Sequence, residues 1–230
     1  GNSSNPINDE GFGGQDEICV FCHTPHAANT DFVGAPIWNK NDATTKTYLM
    51  YGGSSYAAAG AATGITIGNT SIAGPSNPSL ACLSCHDGVS AINSMVNAPG
   101  SGMGAGIVPF NGTTGNTTFV MPDTGVTNIG EFGSTGLTAG QIDLSNDHPI
   151  SVAYPTSADG TTGTPGSLKD KDSTTLTGWI IPGGLTTIND LLRNGKVECS
   201  TCHDPHVTTN GRFLRASNTA SALCLSCHQK

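Results

Sequence analysis

The sequence predicts a mostly irregular chain, coil broken by short helices and a few short strands, wrapped around an interior that its own side chains do not fill. Three observations predict it. Only 11% of the 230 residues are charged and 6% aromatic, while 31 are glycine; a typical globular chain carries about 25% charged residues. The large side chains that build a core are therefore scarce, and another apolar body must offset the entropy of ordering the backbone. The third observation is that all eight cysteines fall into four Cys-x-x-Cys pairs, each followed at once by a histidine.

The remaining composition bounds the function. A length of 230 residues suits one large domain or two small ones. No stretch approaches the roughly 20 apolar residues needed to cross a membrane, so no membrane span is expected. The chain starts with a polar segment at Gly1, and any secretory signal is expected to have been removed. The net charge is −8 with nine Lys and Arg in all. That balance excludes nucleic acid as a partner, because phosphate contacts need clustered cations.

The cysteine motifs read CVFCH, CLSCH, CSTCH and CLSCH. Their cysteines are Cys19 and Cys22, Cys82 and Cys85, Cys199 and Cys202, and Cys224 and Cys227. The histidines that follow are His23, His86, His203 and His228. Cys-x-x-Cys-His is the attachment pattern of c-type haem. Two sulfurs bond the two vinyl carbons of one haem, and the next residue sets its imidazole under the iron as proximal ligand. Two tetrahedral zinc sites or a disulfide framework would also use eight cysteines. Neither explains a histidine after every pair. The expected cofactors are four c-type haems, and haem attachment of this kind implies export from the cytoplasm.

Three histidines remain: His26, His148 and His206. Each is a candidate distal ligand, since each iron needs a sixth ligand and other histidines are absent from the sequence. His26 and His206 share a pattern, CHTPH and CHDPH. Two histidines so close cannot ligate opposite faces of one haem. On a helical turn, positions three apart lie about 5–6 Å from each other, so each segment would clamp two haems together. His148 precedes Pro149, which restricts it to an extended backbone suited to a loop over a haem face. Eight ligands are needed and seven histidines exist. One haem has another ligand, or is five-coordinate, or takes a histidine preceding Gly1. Met50, Met95, Met103 and Met121 are the methionine candidates, with packing or surface roles the ordinary alternative.

The motifs alternate as clamp, plain, clamp, plain, which suggests duplication of a two-haem unit. The first unit covers about 16–91 and the second about 196–230, within a single tetrahaem domain. The haem-free insertion of about 92–195 is rich in Gly, Thr, Pro and Ser and reads as loops and short strands. A short helix is expected at 185–193, with Thr186 or Thr187 near its start and Gly195 past its end. Short helical turns are expected after each CxxCH. Asn-x-Ser/Thr at Asn2, Asn69, Asn111 and Asn116 reads as chance matches in an Asn- and Thr-rich chain.

CVFCHTPH followed by PIWNK, then CLSCHDG, NDHPIS, and VECSTCHDPH with a following FLR, resembles the doubled-CxxCH multihaem cytochromes. Within them the chain looks like the four-haem extracellular filament subunits of metal-reducing microbes, the OmcE type. The resemblance implies head-to-tail homopolymers with a continuous haem chain and bis-histidine irons. It implies that His26 ligates a haem of the neighbouring subunit, that held by His228. Family members often carry a histidine shortly before the first CxxCH, and residues 1–18 contain none.

The expected function is long-range electron transfer by a polymeric extracellular wire, with redox partners and no enzymatic activity. The alternatives are a monomeric periplasmic tetrahaem shuttle and a small multihaem reductase with one open haem. No cluster of Lys, Arg, Tyr and His near a CxxCH supports the last.

Overall fold

The computed structural model describes residues 18–30, 32, 35–40, 46–50, 54–57, 65–67, 70–72, 77–98, 106–107, 131–132, 141–144, 147–155 and 168–229. Met103, Met121, the asparagines of the four Asn-x-Ser/Thr sites and about half of the expected insertion lie outside these residues. In chain order the strands are β1 (Thr47–Met50), β2 (Ser54–Ala57), β3 (Ile65–Ile67), β4 (Thr70–Ile72), β5 (Ser94–Met95), β6 (Gly106–Ile107), β7 (Glu131–Phe132), β8 (Gln141–Asp143), β9 (Val152–Ala153) and β10 (Lys196–Val197). The helices are α1 (Asn77–His86), α2 (Ile188–Leu191), α3 (Cys199–Cys202) and α4 (Ala222–Cys227), with short 3-10 turns that include Ile18–Phe21. The described chain is thus mostly coil with short helices and short strands. Among the described residues no helix is long and apolar enough to cross a membrane.

The chain divides into two compact units. The first comprises Gly1–Ala62 and Gly74–Asp147, and the second Thr63–Ala73 and His148–Lys230. In the first unit β2-β1-β8-β7 form one sheet. β1 pairs antiparallel with β2 and parallel with β8, with Tyr48 opposite Ile142. The two-residue period of a strand puts Tyr48 and Met50 on one side, and both are buried, as are Ile142 and Leu144. A separate cluster of Phe21, Ile92, Met95 and Ala98 packs against Val20 and Cys85. The loop after α1 is fastened by two lysines. Lys40 is buried and donates from Nζ to the carbonyls of Ala91, Ile92 and Ser94. Lys46 pairs with Asp87, which also accepts from the Val89 and Ser90 amides.

In the second unit β10-β9-β4-β3 form a sheet. Its core is Tyr154, Leu176, Ile188, Leu191 and Leu192, with Trp179, Val197 and Cys227 packed against it. Burial of a side chain such as Ile188 or Leu191 stabilises by about 1.5–3 kcal/mol. α2 begins at Thr187, whose amide and hydroxyl both donate to the Asp190 carboxylate at 2.8 Å. This is the helix expected at 185–193, but it is shorter. Leu192 is already extended, with ψ 150. Gly195 does not stop the helix. With Asn194 it forms a two-residue turn, φ 53 and 73, closed by reciprocal bonds between Arg193 and Lys196 at 3.0 Å. Asn-Gly accepts two positive φ values readily, and so makes a hairpin turn here.

Candidate haem centres

Each motif lies on a helical element rather than before one, which corrects the expected placement of helix after the CxxCH. The 3-10 turn Ile18–Phe21 carries Cys19, α1 carries Cys82 and Cys85 and ends at His86, α3 is Cys199–Cys202, and α4 holds Cys224 and Cys227. A spacing of three puts both sulfurs of a pair on one side of a single turn. Helix ends with the motif because the next amide closes the turn. The amides of His23, His203 and His228 bond the carbonyls of Cys19, Cys199 and Cys224 at 2.8, 3.0 and 2.9 Å. His203 and His228 then adopt extended conformations.

The helical turn expected across CHTPH and CHDPH does not form. Pro25 and Pro205 lack an amide donor, and the neighbouring amides are used by a returning strand. In the first unit, Thr24 donates to the Ile37 carbonyl and Asn39 to the Cys22 carbonyl, both at 2.8 Å. In the second, Asp204 donates to Phe213 at 2.8 Å and Arg215 to Cys202 at 2.9 Å. His23 bridges to Trp38 and His203 to Leu214. The two ladders are equivalent bond for bond. Position by position, PIWN at 36–39 does what RFLR does at 212–215.

The return strand orients the proximal imidazole. Nδ1 of His23 donates to the Pro36 carbonyl at 2.9 Å, and Nδ1 of His203 to the Arg212 carbonyl at 2.9 Å. A carbonyl only accepts, so both rings carry their proton on Nδ1 and their lone pair on Nε2, the form that ligates a metal. Reaching this geometry takes left-handed backbone at Ile37 (φ 47) in one ladder and at Arg212 and Phe213 (φ 46 and 57) in the other. A side chain behind each ladder holds the CxxC turn itself. Asn39 donates to the Val20 carbonyl at 2.6 Å, and Arg215 donates from Nε to the Ser200 carbonyl at 3.0 Å. Val20 and Ser200 each follow the first cysteine of their motif.

Within each unit the two motifs come together. Burial raises the Cys22 thiol to about 12, with the neighbouring Cys85 adding to the shift. Burial likewise raises Cys202 to about 12, helped by Cys227 and Cys224. Cys227 is raised to about 11, and Cys85 is pushed up, both chiefly by burial. The thiols are therefore neutral and lie in apolar surroundings. A tryptophan ties each pair of motifs. Trp38 donates to Ser84 of the second motif at 3.3 Å, and Trp179 to Ser226 of the fourth at 2.9 Å. Trp38 also stands edge-on to His23, with ring centroids 5.8 Å apart.

The three candidate distal histidines are all exposed and differ in what they meet. His26 is exposed, and its carbonyl accepts from Thr24 and Asn97. His206 is exposed and donates from Nδ1 to Asp204 at 3.1 Å. Asp204 also pairs with Arg215 at 3.0 Å. Nδ1 of His148 donates to the Pro149 carbonyl at 3.0 Å, and its ring faces His228 with centroids 6.3 Å apart. Burial, and then the nearby His148, lower the pKa of His228 and keep its imidazole neutral. Among the methionines, Met95 is buried in the apolar cluster and its sulfur accepts from Asn39 at 3.7 Å. Met50 is buried as well. Packing accounts for both.

The donor set fits haem. Thiols stand in pairs on one turn, the adjoining imidazole is pinned at Nδ1 in two motifs, and apolar clusters reach Cys85 and Cys227. All eight cysteines are free of disulfides. Among the described residues no three His, Cys, Asp or Glu side chains converge as a zinc site would require. The CxxCH motif is the one that binds c-type haem covalently. Residues 192–230 match the family described as the doubled CXXCH motif, a stretch that includes the second ladder and the last two cysteine pairs. No curated protein matches the chain.

Sequence reasoning missed the carbonyl partners at Pro36 and Arg212, the brackets at Asn39 and Arg215, and the tryptophan ties. The signal was present. Two adjacent large apolar residues, Ile37-Trp38 and Phe213-Leu214, recur after each CHxPH, and the chain has two tryptophans, one for each pair of motifs.

Proposed function

We propose that the chain holds four c-type haems, two in each pair of motifs, and passes electrons between them as a subunit of an extracellular filament. The observation that carries the electron-transfer reading is the pairing itself: Phe21 of the first motif packs in the cluster that Cys85 joins and Trp38 bonds Ser84, while Trp179 bonds Ser226 and its neighbour Ile180 bonds Arg215 of the third motif's return strand. Each haem supplies a one-electron ferric–ferrous couple. The protein's part is positional. Pro36 and Arg212 hold the imidazoles of His23 and His203 in one tautomer and one orientation. The apolar clusters around Cys85 and Cys227 keep water out. Cys19, Cys82, Cys199 and Cys224 complete the thioether pairs, and His86 and His228 are the other proximal ligands. His26, His148 and His206 are distal ligands. The two-haem unit occurs twice, at about 16–91 and 196–230, with a haem-free stretch between. No bond-making chemistry is assigned, and the chain acts outside the cytoplasm.

Mass spectrometry of the purified protein tests the haem number. Four haems on the 23.3 kDa chain are expected, and fewer than four overturns it. The filament reading is supported by the resemblance of the motif order and by the exposure of His26, which leaves it open to a neighbouring subunit. Electron micrographs test it: particles that stay small at every concentration and salt exclude a wire. A self-contained shuttle is the second reading, favoured by His148 facing His228 within one chain.

A further inference from the structure

We propose that His148 and His228 are the two axial ligands of one iron, in the haem bound by Cys224 and Cys227, so that this centre is completed within a single chain. The proposal rests on reading the fourth motif as a haem site. Its own basis is spacing. A metal–imidazole nitrogen bond is about 2.0–2.1 Å, and the ring centre lies about 1.1 Å beyond the nitrogen, so two imidazoles in line across one metal have centroids about 6.2–6.4 Å apart. The His148 and His228 centroids are 6.3 Å apart, with the rings at 74°. His148 donates from Nδ1 to Pro149, which puts its lone pair on Nε2.

The juxtaposition is built rather than incidental, because one short segment fastens His148 to both ends of the site. Next to it, Ser151 (φ 60) donates its amide to the Val197 carbonyl at 2.7 Å and its hydroxyl to Glu198 at 3.1 Å. β9 then pairs with β10 just ahead of α3. Three residues after Ser151, the Tyr154 hydroxyl donates to the carbonyls of Lys169 and Cys227 at 2.9 and 3.4 Å. The Lys169 amide bonds the Cys227 carbonyl at 2.9 Å, and Leu168 bridges to His228 itself. The same frame therefore sets the positions of both histidines.

The pairing moves the histidine deficit. His26 and His206 remain for the irons of His23, His86 and His203. The centre that lacks a histidine from this chain is one of those three, and a ligand lent to a neighbouring subunit goes to one of them rather than to His228.

The test uses the full-length holoprotein. In His148→Ala, haem content by mass stays at the wild-type value while high-spin ferric signal, read by electron paramagnetic resonance, rises by one haem equivalent. Carbon monoxide binding to the reduced protein rises by the same amount. The Cys224→Ser/Cys227→Ser variant loses the fourth haem, and adding His148→Ala to it produces no further high-spin signal. New signal in that triple variant assigns His148 to another iron and overturns the pairing, as does His148→Ala with every haem still low-spin. If His148→Ala does not accumulate, His148→Met decides: one haem stays low-spin with a raised potential, or the pairing is wrong. A wild-type mass without haem on Cys224 and Cys227 refutes the haem reading instead.

Discussion

The first and third motifs solve one problem with different residues. In both, a strand returns antiparallel to the CHxPH segment and places a carbonyl on Nδ1 of the proximal histidine. The first loop separates the bonded residues by 13 positions and the second by 9. Behind the ladder, the first unit uses a neutral amide, Asn39, and the second a cation, Arg215. Asn39 is fully buried and serves Val20, Asn97 and Met95 at once. Arg215 reaches Ser200 and Ile180 and is balanced by Asp204. The tryptophan also changes origin. Trp38 belongs to the return strand, whereas Trp179 precedes Ile180, whose amide bonds the Arg215 carbonyl at 2.8 Å. What is held in common is backbone geometry around the imidazole. What varies is the side-chain chemistry that braces it.

Removing the braces tests that equivalence most severely. Asn39→Ala orphans the Val20 and Asn97 groups it bonds, and each unpaired buried group costs about 1–3 kcal/mol. A loss of about 3 kcal/mol in chemical denaturation is expected, with loosening confined to the first unit by hydrogen exchange. Arg215→Ala leaves Asp204 without its guanidinium, and a loss of about 2 kcal/mol is expected in the second unit. Arg215→Lys does not rescue it, because one ammonium cannot reproduce the guanidinium fork. Full stability in either alanine variant breaks the comparison.

The tryptophan ties give a smaller, matched effect. Trp38→Phe and Trp179→Phe each remove one hydrogen bond to a motif serine while keeping most apolar bulk, and should each cost about 1 kcal/mol. Unequal losses would show that the two ties are not interchangeable.

Glycine at the left-handed positions sharpens the contrast further. Left-handed backbone costs an L-residue about 1–2 kcal/mol, while glycine loses about 0.5–1 kcal/mol in chain entropy. Ile37→Gly should therefore stabilise by up to about 1 kcal/mol in thermal unfolding, because Ile37 is β-branched. Phe213→Gly should gain less, since Phe213, also left-handed, is not branched at Cβ.

The smallest effect is acid sensitivity in the second unit. Hydrogen bonds from the amide and then the hydroxyl of Thr187 hold the Asp190 carboxyl below its ordinary value. A group whose folded pKa is lowered stabilises above its unfolded value, about 3.9, and loses that contribution as pH falls through the folded value. Asp190→Asn should flatten the acid limb of the stability profile below about pH 4. An unchanged limb would show that the cap adds nothing.

The covalent chemistry was legible in the sequence by itself, because two thiols and an imidazole within five residues act through local geometry alone. So were the coil-rich class and a helix start near Thr186 or Thr187, of which the structure uses Thr187, since both follow from composition and from contacts three residues apart. The CHxPH segments misled as helical turns: their amides answer to strands nine or more residues away, and no local period records that. Only the tertiary structure decided which motif stands beside which, and that His148 faces His228 rather than another ring. Those placements depend on contacts between distant segments, on β9 against β10 and Tyr154 against Cys227, and pairing of that kind is set by the packing of the unit as a whole.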